Sequence, residues 1–288
     1  MNVCLFWNPH AGEGLSMDEV TAMIGDAGHS VARVIRHPSE LQLTSHASVD
    51  AVVAAGGDGT VAIAARALAG GQVPLCVLAL GTANNIADSL NLRGQPRQVI
   101  AAWAGQQVVR IDAGIIQDTA GETPFFESVG AGLVAAAIER ADAVVDAGAD
   151  VAIQLQQARD MYVELIDGLE PRRHEINIDG TLIAGDYLLV EVLNMPSVGP
   201  NIRLTPEVNP ADGLLSLVVA TEADRPGLRA YLQSRATGEP SNAGLRSWRG
   251  SRISIAGLAE YHVDDELRTA NGRAVTISLK PAHLPVLA

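Results

Sequence analysis

A run of small apolar residues at positions 51–55 is followed by a glycine-rich turn that carries one carboxylate and one hydroxyl. The turn consists of Gly56, Gly57, Asp58, Gly59 and Thr60. Glycines let the backbone approach a ligand closely, and the helix that follows would point free N–H groups at an anion. Because Asp58 is acidic in such a loop, we expect its carboxylate to face Mg²⁺ or a ribose hydroxyl. Thr60 can cap the helix or contact phosphate. A plain strand–helix turn is the alternative, since Asp-Gly is a common turn pair.

Two further loops have the same setting, each after a short apolar run and before a helix-compatible segment. Gly81, Thr82 and Asn84 follow the run at residues 74–80, and the loop that begins at Asn8 follows the run at residues 3–6. In an open parallel sheet, loops at the carboxyl ends of the strands form one ligand-binding crevice. Their amides would donate to phosphate. The chain has no Walker lysine motif, so arginine, backbone amides and metal must neutralise a triphosphate.

These motifs resemble the diacylglycerol kinase catalytic-domain family, which includes bacterial lipid kinases and the sphingosine and ceramide kinases. The resemblance rests on an Asn-Pro-x-x-Gly-x-Gly loop at residues 8–14, on Gly-Gly-Asp-Gly-Thr and on Gly-Thr-x-Asn-x-x-Ala at residues 81–87. It continues in the Asp-Gly-Leu-Leu segment that begins at Asp212 and in Val-Asp-Asp-Glu at residues 263–266. It therefore spans nearly the whole chain in the family's order. Gly-Gly-Asp-Gly-Thr alone also occurs in NAD kinases.

The resemblance implies ATP and Mg²⁺ as cofactors and gives each motif a role. Residues implied to contact the nucleotide are Asn8, Gly56, Gly57, Asp58, Gly59, Thr60, Gly81, Thr82 and Asn84. Asp58 would also organise Mg²⁺, and Asp212 would hold a structural Mg²⁺. Asp264 would be the general base for a lipid hydroxyl, supported by Glu266, and strand parity would direct both side chains the same way. Without the family, residues 264–266 would suggest a solvated acidic turn.

Three positions depart from the family pattern. Asn85 stands where a carboxylate is common, Asn209 where related kinases often have a second metal-binding acid, and Asp265 where the family has glycine. The first two departures would weaken metal binding, and the third would place three acids in a row. Like charges so close can raise the pKa of one of them. A catalytically weakened protein that binds nucleotide or lipid is therefore one alternative function, and an NAD kinase is the other.

Composition limits the partners of this 288-residue chain. Its net charge of −13 argues against nucleic-acid binding and against general attraction to anionic lipid.

The best candidate for a local, transient membrane contact is residues 245–252, with three arginines around Trp248; an ordinary exposed loop is the alternative. With no apolar run long enough to span a bilayer and no signal-peptide pattern, we expect a cytoplasmic protein peripheral to the inner face of the membrane. A homodimer is a possible oligomeric state.

Residues 1–113 predict a doubly wound α/β domain, because unalternating apolar strands and helices follow one another with short connections. The predicted strands are residues 3–6, 30–35, 51–55, 74–80 and 108–111. The predicted helices are residues 16–27, 60–69, 83–89 and 95–105. Cys4 and Cys76 lie in strand runs and are expected to be buried free thiols. The resemblance implies that the C-terminal segment, residues 280–288, returns to this nucleotide-binding domain.

Residues 114–279 predict a β-rich, lipid-substrate domain built as an antiparallel sandwich with a few helices. The predicted strands are residues 125–129, 174–178, 182–192, 214–220, 252–256, 261–263 and 274–279. Helical segments are predicted at residues 134–168, broken near 147–150, and at 226–237. Asp179-Gly180 and Asn271-Gly272 are expected hairpin turns. Phe125, Phe126, Val129 and Leu133 could face acyl chains, with the domain core as the alternative.

Overall fold

The computed structural model describes residues 1–8, 15–41, 49–146, 148–234 and 243–288. These residues form two compact units, one of Met1–Ala113 with Pro281–Ala288 and one of Gly114–Lys280. Most of the first predicted loop, residues 9–14, lies outside the described residues.

The first unit alternates strands and helices around a parallel sheet. Its elements in chain order are β1 (Asn2–Trp7), α1 (Met17–Asp26), β2 (Ser30–Ile35), β3 (Ala51–Gly56), α2 (Asp58–Leu68), β4 (Leu75–Ala79), α3 (Asn85–Ser89), α4 (Pro96–Ala102) and the first part of β5 (Val108–Asp118). The strand order is β2-β1-β3-β4, all parallel. The end of the last strand, β16 (Val275–Leu287), lies beside β4, where Val286 pairs with Leu75. The predicted doubly wound sheet is confirmed.

Local sequence accounts for these elements. Every residue of β3 is buried, which explains its apolar run without alternation. Helix α1 begins with a capping box, in which the Glu19 amide donates to Ser16 Oγ at 3.2 Å and the Glu19 carboxylate accepts from the Ser16 amide at 2.7 Å. Cys4 and Cys76 are free and buried, as predicted. The core of this unit therefore consists mainly of aliphatic residues from the strands and from α1.

In its described residues, the second unit contains two antiparallel sheets and three α-helices. Its elements after β5 are β6 (Gly121–Phe125), β7 (Ser128–Gly132), α5 (Leu133–Val144), α6 (Val151–Gly168), β8 (Arg172–Ile178), β9 (Thr181–Tyr187), β10 (Leu189–Leu193), β11 (Leu215–Ala220), α7 (Arg225–Ser234), β12 (Arg246–Gly250), β13 (Arg252–Ala256), β14 (Glu260–Val263), β15 (Glu266–Thr269) and β16. One sheet has the order β16-β13-β8-β9 and the other β12-β11-β10-β7-β14-β15. An apolar core fills the space between them, and the predicted sandwich is confirmed.

Several predicted elements of this unit are wrong in detail. The single strand predicted at residues 125–129 is two strands, β6 and β7, because the chain turns between Phe125 and Ser128. The strand predicted at residues 182–192 is also two. It changes sheets at Leu188, since Tyr187 pairs with β8 whereas Leu189 pairs with β7 and β11. Residue parity alone does not reveal such a crossing.

The two predicted hairpin turns have different outcomes. Asp179 and Gly180 have φ of 46° and 93° and join the paired strands β8 and β9, as predicted. Asn271 and Gly272 also form a turn, closed by the Arg273 amide on the Ala270 carbonyl at 3.0 Å. That turn links β15 and β16, which lie in different sheets. The hairpin prediction is therefore wrong there, although the local turn forms.

The candidate membrane segment is a strand with ordinary packing. Residues 246–250 form β12 and pair with β11, so the exposed-loop alternative is wrong. Trp248 packs against the core between the two sheets, and Arg249 forms an ion pair with Asp212. Arg246 and Arg252 remain exposed. Among the described residues, no helix is long and apolar enough to cross a membrane.

Candidate active site

The three predicted nucleotide loops leave the carboxyl ends of β1, β3 and β4, which are neighbours in the sheet. Asn8 at the end of β1 donates from Nδ2 to Thr60 Oγ1 at 2.9 Å. Gly56 makes room for this contact, because a Cβ there would lie 2.4 Å from the same Thr60 oxygen. The first two loops are therefore joined through the Thr60 hydroxyl.

The second and third loops touch at two glycines. A Cβ on Gly81 would lie 2.4 Å from the Cα of Gly57. Asn84 shapes the third loop from within. It has a left-handed φ of 54°, its Oδ1 accepts from the Gly81 amide at 3.0 Å, and its Nδ2 donates to the Gly81 carbonyl at 2.6 Å. Thr82 lies between them, half-exposed.

Asp58 ties the same two loops together. Its Oδ1 accepts from the Ile86 amide, 2.9 Å away in the first turn of α3. Removal from water raises the pKa of Asp58, although the amides of residues 84–86 and the charge of Arg93 oppose that rise. The carboxylate thus sits where helix α3 begins, in agreement with its preference for free amides.

Helix α2 begins at the edge of this cluster. Gly57 is its N-cap and offers no side chain, and the first helical bond runs from the Val61 amide to the Gly57 carbonyl at 3.0 Å. The amides of Asp58, Gly59 and Thr60 therefore precede the regular helical bonding pattern. Such a helix terminus favours a bound anion.

In the second unit, Asp264 occupies a tight turn and not a strand. Val263 pairs with Glu266, so Asp264 and Asp265 form the two-residue turn between β14 and β15. Asp264 has φ of 51°, a left-handed conformation that Asp tolerates. The expectation that Asp264 and Glu266 point the same way by strand parity is therefore wrong.

Asp264 is only 6% exposed, and its carboxylate accepts from three successive backbone amides. Its Oδ1 lies 3.2, 2.8 and 3.3 Å from the amide nitrogens of Phe126, Glu127 and Ser128. The Asp264 amide donates in return to the Ser128 carbonyl at 2.8 Å. Glu266 is exposed and pairs with Arg268 at 3.2 Å. The carboxylate of Asp264 is thus fixed in one orientation by the turn before β7.

Asp212 is bound to an arginine in this structure. Its Oδ2 contacts Arg249 Nη2, and its Oδ1 accepts from the Leu214 amide at 3.1 Å. Asn209 Oδ1 accepts from the Ala211 amide at 3.0 Å. Within the described ranges, no group of three acidic, histidine or cysteine side chains could hold a metal ion. This donor set does not fit a dedicated metal site, because one carboxylate already carries a cationic partner.

The residues considered for an acyl-binding wall belong to the core. Phe125 and Val129 are fully buried between the two sheets, and Leu133, the first residue of α5, is buried in the core between the helices and the six-stranded sheet. Phe126 is also fully buried. The core alternative is confirmed for all four.

Sequence reasoning missed one polar pair beside Asp264. Glu191 and His262 are 0% and 1% exposed, and Glu191 Oε1 lies 2.9 Å from His262 Nε2. A lone acid inside the apolar strand Leu189–Leu193 was the signal that could have found it, because an unpaired buried carboxylate is costly.

Residues 2–116 match the family described as "Diacylglycerol kinase catalytic domain", and residues 127–288 match "YegS C-terminal NAD kinase beta sandwich-like domain". The chain belongs to the diacylglycerol kinase family. A diacylglycerol kinase of Mycobacterium tuberculosis is 28% identical over 231 residues, which are 76% of this chain and 72% of that protein. The predicted family resemblance is confirmed.

Two solved structures share the fold. A diacylglycerol kinase from Bacillus anthracis has a TM-score of 0.76 at 19% identity, covering 99% of this chain and 96% of that one. An NAD kinase from Archaeoglobus fulgidus in complex with ATP has a TM-score of 0.54 at 12% identity, covering 100% and 94%. The NAD kinase is thus the more distant of the two in fold as well as sequence.

Proposed function

We propose that this kinase transfers the γ-phosphate of ATP to the hydroxyl of diacylglycerol or a similar lipid. The proposal that ATP is the phosphate donor rests on how two glycine loops are joined. The Asp58–Ile86 hydrogen bond and the Gly57–Gly81 contact hold these loops together beside the N-terminus of α2. The acceptor class is proposed from the family and from the name of the mycobacterial relative.

The phosphates of ATP would bind to the first-turn amides of α2 and to the loop that contains Gly81, Thr82 and Asn84. Glycine at positions 57 and 81 lets the two backbones touch, so the amides of both loops can converge on one anion. Asn8 and Thr60 would complete this wall through their mutual hydrogen bond. Backbone amides would do here what a lysine does in other kinases.

Mg²⁺ would arrive with the nucleotide. Among the described residues of these loops, Asp58 is the carboxylate that could contact it, and magnesium commonly takes one or two carboxylates together with substrate phosphates and water. Such an ion would neutralise charge on the transferred phosphoryl group. We do not assign Asp212 to a metal, since Arg249 already pairs with it.

Asp264 would act as the general base. In the proposed step, the lipid hydroxyl oxygen forms a bond to the γ-phosphorus while the bond from that phosphorus to the β–γ bridging oxygen breaks. The hydroxyl proton passes to the Asp264 carboxylate and ADP leaves. Three amide donors support this assignment, because they fix the orientation of the carboxylate. A catalytic base contributes about 10²–10⁴-fold to a rate.

The acceptor would be met at a membrane surface, as a transient contact. Exposed Arg246 and Arg252 flank the Trp248 strand, and arginine side chains suit lipid headgroups. The net charge of −13 would keep this contact local and weak.

The test is transfer of labelled γ-phosphate from ATP and Mg²⁺ to micellar diacylglycerol, monoacylglycerol, sphingosine, ceramide and phosphatidylglycerol, with NAD as a control acceptor. Wild type is compared with Asp264→Asn and with Asp265→Asn, which removes the same charge one residue away. We expect one labelled lipid, a loss of about 10²–10⁴-fold in Asp264→Asn and little loss in Asp265→Asn. Label on NAD alone would replace the proposal with an NAD kinase. ATP binding without any product would support the weakened binding protein.

A further inference from the structure

The Glu191–His262 pair lies on the helix-covered side of the six-stranded sheet. Glu191 alternates along β10 with Val190 and Val192, which face the core between the sheets, and shares its face with Leu189 and Leu193 beneath α5, α6 and α7. A pair of charged groups in such a place is expensive to desolvate. An apolar pair would be a simpler solution for stability alone, so this pair calls for another role.

Gly130 allows the contact. In the strand order β10-β7-β14, Glu191 pairs with Gly130 and Gly130 pairs with His262. The two side chains therefore meet across an intervening strand, over a glycine that leaves room for both of them. A Cβ on Gly130 would lie 2.1 Å from Glu191 Oε2. The contact thus links the strand of Glu191 directly to β14, the strand that leads into the Asp264 turn.

The hydrogen bonds of His262 determine where its protons lie. Nδ1 is 2.8 Å from the backbone carbonyl oxygen of Asp264, which can only accept, so Nδ1 carries a proton. Nε2 faces the Glu191 carboxylate, with Oε1 at 2.9 Å. Burial lowers the pKa of His262, but the charge and hydrogen bonding of Glu191, together with those of Asp264, outweigh burial and raise it. The imidazole therefore joins Glu191 to the main chain of Asp264.

We propose that Glu191 and His262 are positioning residues that hold the Asp264 turn, so that its carboxylate is presented to the lipid hydroxyl. The inference rests on the proposed role of Asp264 as general base. The turn needs such support, because the left-handed conformation of Asp264 leaves its carbonyl outside the strand ladder, where His262 Nδ1 binds it. The three amides before β7 fix the carboxylate, and His262 fixes the peptide that carries it.

Two isosteric amides at position 262 test this arrangement. In His262→Asn the amide nitrogen takes the place of Nδ1 and can still reach the Asp264 carbonyl, whereas in His262→Gln it takes the place of Nε2 and faces Glu191. We expect the Gln variant to lose about 10–100-fold in kcat, the scale of a 1 Å misplacement, with KM for ATP unchanged. The Asn variant should retain at least about tenfold more kcat than the Gln variant.

His174→Gln is the matched control, because His174 is a second buried histidine of the same unit, 4% exposed and stacked on Tyr187. It should lower thermal stability while kcat per folded enzyme stays near wild type. All rates are referred to the folded fraction, measured by melting and by ATP binding. If Glu191→Gln or the position-262 variants lose activity only in proportion to their folded fraction, the pair is structural and the inference is wrong.

A double variant separates this inference from the proposed function. If His262 acts through Asp264, then His262→Gln added to Asp264→Asn should cause no further loss of kcat. An equal loss in both backgrounds would overturn the positioning role. Full activity of Asp264→Asn would instead overturn the general-base assignment and this inference with it. An impaired Asp264→Asn beside an unaffected His262→Gln would overturn only the inference.

Discussion

Gly81→Ala is the most direct test of the nucleotide loops. The new Cβ would lie 2.4 Å from the Gly57 Cα, whereas ordinary contacts begin at 3.4 Å. The two loops would have to separate by 3.4 − 2.4, about 1 Å, because the nearest atom belongs to the Gly57 backbone and not to the end of a flexible side chain. Gly81 has no left-handed φ, so the cost is steric and not conformational.

We expect two measurable consequences. Overpacking of this kind costs about 1–3 kcal/mol, which lowers Tm by roughly 2–12 °C in a unit of this size. A 1 Å displacement of phosphate-binding amides should weaken catalysis by on the order of 10²-fold. ATP affinity by calorimetry and phosphate transfer to lipid, each compared with Tm, measure both effects.

Gly25→Ala is the control in the same unit. Gly25 lies in helix α1, and a Cβ there meets nothing within 4 Å. Alanine should stabilise that helix by about 0.5–1 kcal/mol and leave ATP binding unchanged. Wild-type ATP affinity in folded Gly81→Ala would refute the reasoning, because the contact between the loops would then have no part in nucleotide binding.

Three further outcomes are expected. Asp58→Asn should reduce phosphate transfer yet raise Tm at pH 7, because burial raises the pKa of Asp58 and its ionised form therefore lowers stability as pH rises above the usual 3.8; a difference in Tm between variant and wild type that does not grow from pH 3 to pH 7 would contradict this. EDTA should leave the Tm of the nucleotide-free protein unchanged, and metal-dependent melting of wild type would contradict this. Arg249→Met should lower stability by at most about 1 kcal/mol, since the Asp212 pair is partly exposed. Burial raises the pKa of Cys76 to about 12, so a thiol reagent at pH 8 should label it only after unfolding, and rapid labelling of native protein would count against that burial.

The sequence alone predicted the family, the parallel sheet and the loops at its carboxyl edge. Unalternating apolar runs such as residues 51–55 indicate buried parallel strands, and the glycines that end them locate the turns. Asp179-Gly180 likewise predicted its hairpin, because a two-residue turn depends on its own backbone conformation. These features are local, so short stretches of sequence are sufficient to specify them.

Other features depended on which strands became neighbours. Asp264 was expected in a strand, yet it forms a turn whose carboxylate is held by amides at residues 126–128, far away in sequence. Asp212 was expected to bind a metal, whereas in the structure it forms an ion pair with Arg249, which lies 37 residues further along the chain. In both cases the binding partner lies far away in the sequence from the residue that it contacts.

The Glu191–His262 contact shows the physical reason most clearly. Taken alone, Glu191 and His262 each look like a polar residue out of place in a buried strand. Only the strand order β10-β7-β14 brings the two together over Gly130. Strand order is set by the packing of the whole sheet and by its connections, not by the residues of one strand. The sequence therefore determined the chemistry available to this kinase, whereas the tertiary structure decided which groups are paired, buried and held in place.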